Sequence, residues 1–400
     1  MKKLGSGLLL LIVVLTGCMG IIEREEDIIV IEETEEQEEE HVIISPNLNT
    51  PENYYRTVLQ EGDYRHSEAR GLVPHAINNR IDINQLEIGL MELASTRFPQ
   101  SDFYFQEGQY LEGVVINRWL RRHDPELTGY SEGLNPPLPE MEANFGQMEP
   151  REQVRHERTR HESKPSYLSH LMEHNYLQET ENGSVELSGL VLGISINSVY
   201  YYQTVNDGPV YDVQLEDEDI FEAGKAIASE VLSRVRERDN LANVPIVIAL
   251  YKEAPRQSII PGTFLAMTLV EPEKSIESWE SISDDHYFFP SNQVTRDHRE
   301  DATRFDSFKN DIDDFFDNYS GVVGKARYKN DQIQELTIDI NLQTSGKAEV
   351  IAMTQFITNS LEEHFPPALT VQIYLSSLEG AESIIVRHAN EEEPFVHIYR

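Results

Sequence analysis

The chain has a single cysteine, Cys18, in 400 residues. No internal disulfide can form, so the fold must be stabilised by burial, and a chain of this length can bury a large core. Positive charge is also scarce, with 33 Lys and Arg against 70 Asp and Glu and a formal net charge of −37. A surface of that sign repels nucleic acid and anionic polymers, which excludes nucleic-acid partners. Long hydrophobic runs are missing too. The most apolar stretch, Leu8–Leu15, is shorter than the roughly 20 residues needed to cross a bilayer. Several signatures of catalysis and cofactor binding are absent: G-x-S-x-G, S-x-x-K, the phosphate-cradling G-x-x-x-x-G-K and the dinucleotide G-x-G-x-x-G. No cofactor is expected.

What is present at the N-terminus is a leader. Lys2 and Lys3 precede the Leu8–Leu15 run, which ends in Leu15-Thr16-Gly17-Cys18. A basic start, a short apolar core and small residues describe a secretory signal peptide. Leu-small-Gly-Cys resembles the lipobox of bacterial lipoproteins, in which the thiol receives diacylglycerol and a peptidase cuts between Gly17 and Cys18. The thiolate is the side chain suited to that reaction, and a doubly acylated residue anchors stably. An acylated Cys18 leaves no thiol for catalysis. The expected location is the outer face of the cell membrane, with the membrane as partner through the lipid. The leader carries Lys2 and Lys3 and no acid, so its removal takes the charge from −37 to about −39.

Glu23 to Glu40 holds eleven carboxylates and one arginine. Like charges at that density keep a segment solvated, so residues 18–50 are expected to be a disordered tether. The apolar insert Ile28-Ile29-Val30-Ile31 interrupts it.

The fold class expected is α+β: a mostly helical region over 51–183, followed by two antiparallel-sheet-plus-helix units of ββαββ type over 184–272 and 273–400. In the first region, Ile83, Leu86, Leu90, Leu93 and Ala94 recur at helical spacing, with Asp82 or Asn84 as the cap. A second helix is expected over Leu111–Arg122 and a short one around Tyr167–Tyr176. Gly133–Glu142 is proline-rich loop, and Glu149–Lys164 is a polar, charged stretch.

From about Ser188 the period changes to two. Leu190, Leu192, Ile194, Ile196, Tyr200 and Tyr202 share one face, with "YDVQL" as the next strand. An amphipathic helix over residues 217–238 carries Ile220, Ile227, Val231 and Val235 on one side, with acids at its start and arginines near its end. "PIVIALYKEA" and "TFLAMTLVE" complete the unit. The order recurs in "GVVGKARYK", "IQELTIDINLQ", a helix over 347–365, "ALTVQIYLSS" and "ESIIVRH", with Lys329–Gln332 as a turn. Between the units, Phe305, Phe308, Ile312, Phe315 and Tyr319 mark a linker helix.

Candidate chemistry is sparse. His156 and His161 are five apart, the wrong spacing for a zincin helix, whereas His170 and His174 have the four-residue spacing of such a pair. Two polar residues on a solvated helix face are the preferred reading of that pair, and no metal is assigned. Glu216–Asp219 lacks the alternation of a calcium loop. Tyr201, opposite Tyr200 and Tyr202 by alternation, is a candidate ring for stacking a sugar or peptide. Glu107, in "FQEG", is the candidate carboxylate of a ligand surface.

"ARGLV" (69–73), "NRIDINQLEIGLMELA" (79–94), "FQEGQYL" (105–111), "GLNPPL" (133–138), "YLSHLMEHNYL" (167–177) and "LGISINSVYYYQ" (192–203) together resemble the CamS sex-pheromone-precursor lipoproteins of Gram-positive bacteria. That resemblance implies that the tail of the cleaved leader, about Leu10–Gly17, is a source of a short hydrophobic peptide sensed by other bacteria. It assigns no role to the mature body. The body is expected to be a non-enzymatic module binding a peptide, glycan or protein at the envelope. The alternatives are an envelope hydrolase with Glu107 as acid or base, and a transporter's solute-binding lipoprotein.

Overall fold

The computed structural model describes residues 30–31, 42–46, 54–60, 62–71, 77, 79–315, 319–343 and 346–400. Cys18, Gly17 and the leader lie outside the described residues, as does most of the segment read as a tether. Two pieces of that segment are described, as strands: β1 (Val30–Ile31) and β2 (Val42–Ile44) pair with each other, and β2 pairs with β3 (Val58–Gln60). Val30 and Ile31 of the apolar insert face Ile43 and Val42 in this small sheet.

The first large sheet is built around a strand–helix–strand crossover. Strands β5 (Leu168–Glu179) and β6 (Val185–Ile196) form an antiparallel hairpin. Helix α4 (Asp217–Arg236) then carries the chain to β9 (Ile246–Lys252), parallel to β6, and β10 (Thr263–Val270) returns antiparallel. With β4 (Tyr104–Glu107) and β11 (Glu280–Ser281) at the edges, the order is β11-β10-β9-β6-β5-β4. Both faces of its centre are covered. Leu190, Leu192, Ile194, Ile246 and Ile248 pack with Ile220, Ile227, Val231 and Val235 of α4. Val191, Val247 and Ala249 pack on the other face with Leu86, Leu90 and Ala94 of α1 (Arg80–Ser95). Two-sided burial is why β9 reads as a continuous apolar run rather than an alternating one. Gly89 lets α1 lie close, since a Cβ there would sit 2.2 Å from the Phe264 ring.

The second large sheet repeats the plan. Strands β13 (Tyr319–Lys329) and β14 (Gln332–Leu342) form a hairpin through Asn330 and Asp331, both at positive φ as a two-residue turn requires. Helix α7 (Lys347–His364) crosses to β15 (Thr370–Ser377), parallel to β14, and β16 (Gly380–Arg387) returns. Edge strands β12 (Asp284–Phe289) and β17 (Phe395–Ile398) complete the order β12-β13-β14-β15-β16-β17. Here both helices lie in one core. Phe305, Phe308 and Ile312 of α6 (Arg299–Phe315) and Val350, Met353, Ile357 and Leu361 of α7 pack with Ile338, Ile340, Val371 and Ile373. The short α5 (Asn292–Asp297) precedes α6.

The α+β class and the doubled ββαββ plan are present, with the following differences from the sequence reading. First, Tyr167–Tyr176 is not a short helix but the body of β5, paired along its length with β6. Its apolar residues satisfy both periods, and pairing decides. Region 51–183 is therefore less helical than its spacing predicts, and the β5–β6 hairpin runs across residues 183 and 184. Second, "YDVQL" is not a strand of the large sheet. It supplies β8 (Val210–Gln214), which pairs only with β7 (Val199–Gln203) in a separate ribbon. Third, each sheet has a parallel pair at its centre, because a helix joins the two middle strands. Fourth, the polar stretch at 149–164 is helix α3 (Pro150–Ser163), started by Pro150 and a capping box between Glu149 and Glu152. The second expected helix is shorter than expected, α2 (Gly113–Trp119). The linker helix ends at Phe315, and Tyr319 opens β13.

The cap of α1 is Asn79, whose side chain accepts from Ile81 N, rather than Asp82 or Asn84. Asp82 is fully buried and accepts from Tyr251 Oη at 2.6 Å, Gly262 N at 2.6 Å and Ala254 N at 3.1 Å. It ties α1 to β9 and to the β9–β10 connection.

Candidate ligand-binding cleft

A cleft of about 600 Å³ opens between segment 67–70, α1, the end of β4 and the first half of β5. Its architecture starts from "FQEGQYL". Gly108 passes directly over Glu173 of β5: a Cβ there would lie 2.6 Å from Glu173 Cβ and 2.8 Å from its carbonyl oxygen. Only glycine fits, and the close approach aims three backbone N–H groups at one carboxylate. Gln109 N and Tyr110 N donate to Glu173 Oε1 at 3.0 Å each, and Leu111 N to Oε2 at 2.7 Å. Burial raises the pKa of Glu173, against the pull of those donors. Glu173 therefore holds the loop in place.

Glu107, one residue earlier, holds the opposite wall. Its Oε1 accepts from Tyr64 Oη at 2.8 Å and Arg70 Nη1 at 2.6 Å, and its Oε2 from Ser67 N at 2.8 Å. Burial works to raise its pKa, but the Ser67 and Tyr64 bonds and the Arg70 charge outweigh it and hold the carboxyl below the usual range. The candidate carboxylate of the sequence is thus in the cleft, buried and paired.

Helix α1 contributes Arg80, Ile83, Asn84 and Glu87, spaced i, i+3, i+4 and i+7 along one face. Among the described residues, Arg80 has no ion-pair partner and Glu87 has no hydrogen bond. Burial raises the pKa of Glu87, and the neighbouring Glu107 adds to that, while Arg70 opposes it. Facing them, His170, Met172 and His174 stand on the α1 side of β5. His170 and His174 are 1% and 2% exposed, and the Nδ1 of each has no partner among the described residues. Burial lowers both imidazoles to about 4, so they are neutral at physiological pH. His174 also packs edge-on against Phe105, at 5.0 Å between centroids.

Four residues apart on a strand means roughly 13 Å, not adjacent helical turns. His170 and His174 therefore cannot share a metal ion, and the zincin-like spacing is an accident of β structure. Among the described residues, only Asp311, Glu363 and His364 bring three ligand atoms within 4.8 Å of one another. There His364 Nε2 and Asp311 Oδ2 already share a hydrogen bond at 2.6 Å.

Tyr201 is outside the cleft. As alternation predicts, it lies opposite Tyr200 and Tyr202. It takes Arg256 over its ring at 4.2 Å, and its hydroxyl accepts from Arg256 N. Tyr200 and Tyr202 stack with His161 of α3, the nearest pair at 4.5 Å and 9°. This stack docks α3 on the β7–β8 ribbon.

Residues 64–393 match the CamS sex pheromone cAM373 precursor family. The chain belongs to this family. A sex pheromone precursor from Lactobacillus salivarius subsp. salivarius UCC118, solved as a crystal structure, superposes with a TM-score of 0.77 at 28% identity, over 89% of this chain and 98% of that one. The C-terminal domain of the sex pheromone staph-cAM373 precursor from Staphylococcus aureus superposes with a TM-score of 0.66 at 27% identity, over 81% and 98%. No curated protein sequence matches the chain. Among the described residues, no helix is long and apolar enough to cross a membrane.

Sequence reasoning found Glu107 but missed Arg70, Arg80 and Glu87. The recoverable signal was the polar stripe Arg80-Asn84-Glu87, with Ile83 inside it, on a helix whose buried face is Leu86, Leu90 and Ala94.

Proposed function

We propose that this CamS-family chain is made as a lipoprotein precursor. Cleavage between Gly17 and Cys18 leaves diacylglycerol on Cys18 and the body on the outer face of the membrane. The leader tail Leu10–Gly17 is released as a source of a short hydrophobic peptide. The body is a non-enzymatic module that binds a small envelope ligand in the cleft. The observation carrying the binding role is the cleft of about 600 Å³ itself, lined along one face of α1 by Arg80, which has no ion-pair partner among the described residues, and by Glu87, which has no hydrogen bond among them. The non-enzymatic reading is supported by Glu107, whose two oxygens already accept three close hydrogen bonds from the surrounding fold.

Two measurements test this. Metabolic labelling with a fatty-acid analogue should mark the wild type and not Cys18→Ser; label on the variant refutes the anchor. Native mass spectrometry of the lipoprotein from envelope extracts should show a non-covalent small ligand that Ile83→Trp, which fills the cleft, loses. Protein recovered without any such ligand refutes the binding role.

A further inference from the structure

We infer that the cleft is built for a short zwitterionic peptide of about three residues, lying extended between α1 and β5 with its carboxylate at Arg80 and its ammonium at Glu87. This rests on the cleft being a binding site and adds the chemical class of its occupant.

The charge layout sets the polarity. Arg80 and Glu87 are seven residues apart on one helix face, which places them about 10 Å apart along the axis. Three extended residues span about the same distance. At the Glu87 end, Arg70 is paired to Glu107 and only partly offsets the burial of Glu87, which still raises its pKa. At the other end the free charge is that of Arg80. The two ends of the same helix face are thus opposite in sign, the pattern expected for capture of both termini of a peptide. A guanidinium is the natural partner for a terminal carboxylate. An ammonium beside Glu87 would offset the burial of this half-buried carboxylate, which Arg70 offsets only in part.

Between the two ends the walls suit a peptide's middle. Ile83 and Met172 offer apolar surface to one side chain, and the Asn84 amide offers both a donor and an acceptor to a peptide group. The register runs the same way on the opposite wall. His174 pairs with Glu107 across β4–β5, at the Glu87 end. His170 pairs with Ser195. Ser195 in turn pairs with Tyr251, whose hydroxyl bonds Asp82 near the Arg80 end. Each neutral imidazole therefore stands near one terminus.

The test is isothermal titration of the full mature lipoprotein in detergent with Ala-Leu-Ala, its N-acetyl form and its C-terminal amide. The free tripeptide should bind saturably, and blocking either end should weaken binding about tenfold or more. Arg80→Gln should no longer distinguish acid from amide while still preferring the free amine. Glu87→Gln should show the converse. Arg80 is exposed, and half-buried Glu87 has no hydrogen bond among the described residues, so the variants should melt like the wild type. The inference is overturned if no form of the tripeptide binds, if blocked and free forms bind equally, or if both variants keep both preferences. A glycan found in the cleft by native mass spectrometry overturns the peptide and leaves the binding role standing; an empty cleft overturns both.

Discussion

Arg327 of β13 grips Glu92 of α1 with both ends of its guanidinium, Nη1 to Oε1 at 2.8 Å and Nη2 to Oε2 at 2.7 Å. The same side chain forks onto Asp284 of β12, Nε to Oδ1 at 2.7 Å and Nη2 to Oδ2 at 2.6 Å. Lys329 adds a third contact to Glu92 at 3.0 Å. Arg327 therefore ties α1, which packs on the first sheet, to the β12–β13 edge of the second. Removing one member of such a buried pair costs about 3–5 kcal/mol, because Asp284 is left buried without its guanidinium. Arg327→Ala should lower stability by that order in urea unfolding, and Arg327→Lys should fall between, since an ammonium cannot make two forks. Burial alone would raise the Glu92 pKa, but the Arg327 bonds and charge hold it at about 2. A depressed folded pKa stabilises above the unfolded value, here 4.5, and that contribution is lost as pH falls toward 2. Wild type should therefore lose stability faster than Glu92→Gln across this window.

Asp82 carries three donors and, among the described residues, has no ion-pair partner. Asp82→Asn keeps the size but turns an amide toward a backbone donor, leaving at least one buried group unsatisfied. Loss of about 2–3 kcal/mol is expected, measured as a shift of the urea midpoint at constant slope. A changed slope instead would mean that the β9–β10 connection had already detached in the native state.

The legible parts of this fold were those in which local pattern and tertiary demand agree. Ile220, Ile227, Val231 and Val235 mark α4 at helical spacing, and all four are in the core. Asn330-Asp331 marks the β13–β14 turn for the same reason. The strand β5 was illegible because Leu168, Leu171, Met172 and Tyr176 suit a helix as well as a strand, and only pairing with β6 removes the ambiguity. Helix α3 was illegible because it has no buried residue; it is held by its cap, its ion pairs and one ring stack. For the cleft, Glu107 was visible through its glycine neighbour. Arg80 and Glu87 become meaningful only once β5 lies opposite them, a relation across about 90 residues that no local pattern contains.

Gly108→Ala tests the loop that closes the cleft. The added methyl would lie within 2.8 Å of the Glu173 carbonyl oxygen, which is backbone and cannot swing away. The loop must lift, and the bonds from Gln109, Tyr110 and Leu111 to Glu173 must lengthen. Overpacking of this kind costs about 1–3 kcal/mol. The measurement is hydrogen exchange at those three amides, which should speed up in the variant more than amides in the second sheet. Equal acceleration everywhere would mean that the loss is global and that the loop is not its source.

The two cleft histidines give the body a pH signature of defined sign. Burial lowers His170 and His174 from 6.5 to about 4. Between those values the unfolded chain binds protons that the folded chain refuses, so stability rises with pH across the window and is lost as pH falls from 6.5 to about 4. A shift of this size is worth up to about 3 kcal/mol per ring. His286 is lowered to about 4 as well, and Glu173 and Asp82 are raised by burial, which acts in the opposite sense. The total curve therefore mixes several groups, but the difference between wild type and one variant isolates one ring. His174→Leu, whose target side chain suits a buried site, should be close to wild type at pH 7. It should become relatively more stable by about 2–3 kcal/mol at pH 4.5, measured by urea unfolding at both values. A constant difference between the two pH values would mean that His174 titrates normally, with its ring open to water.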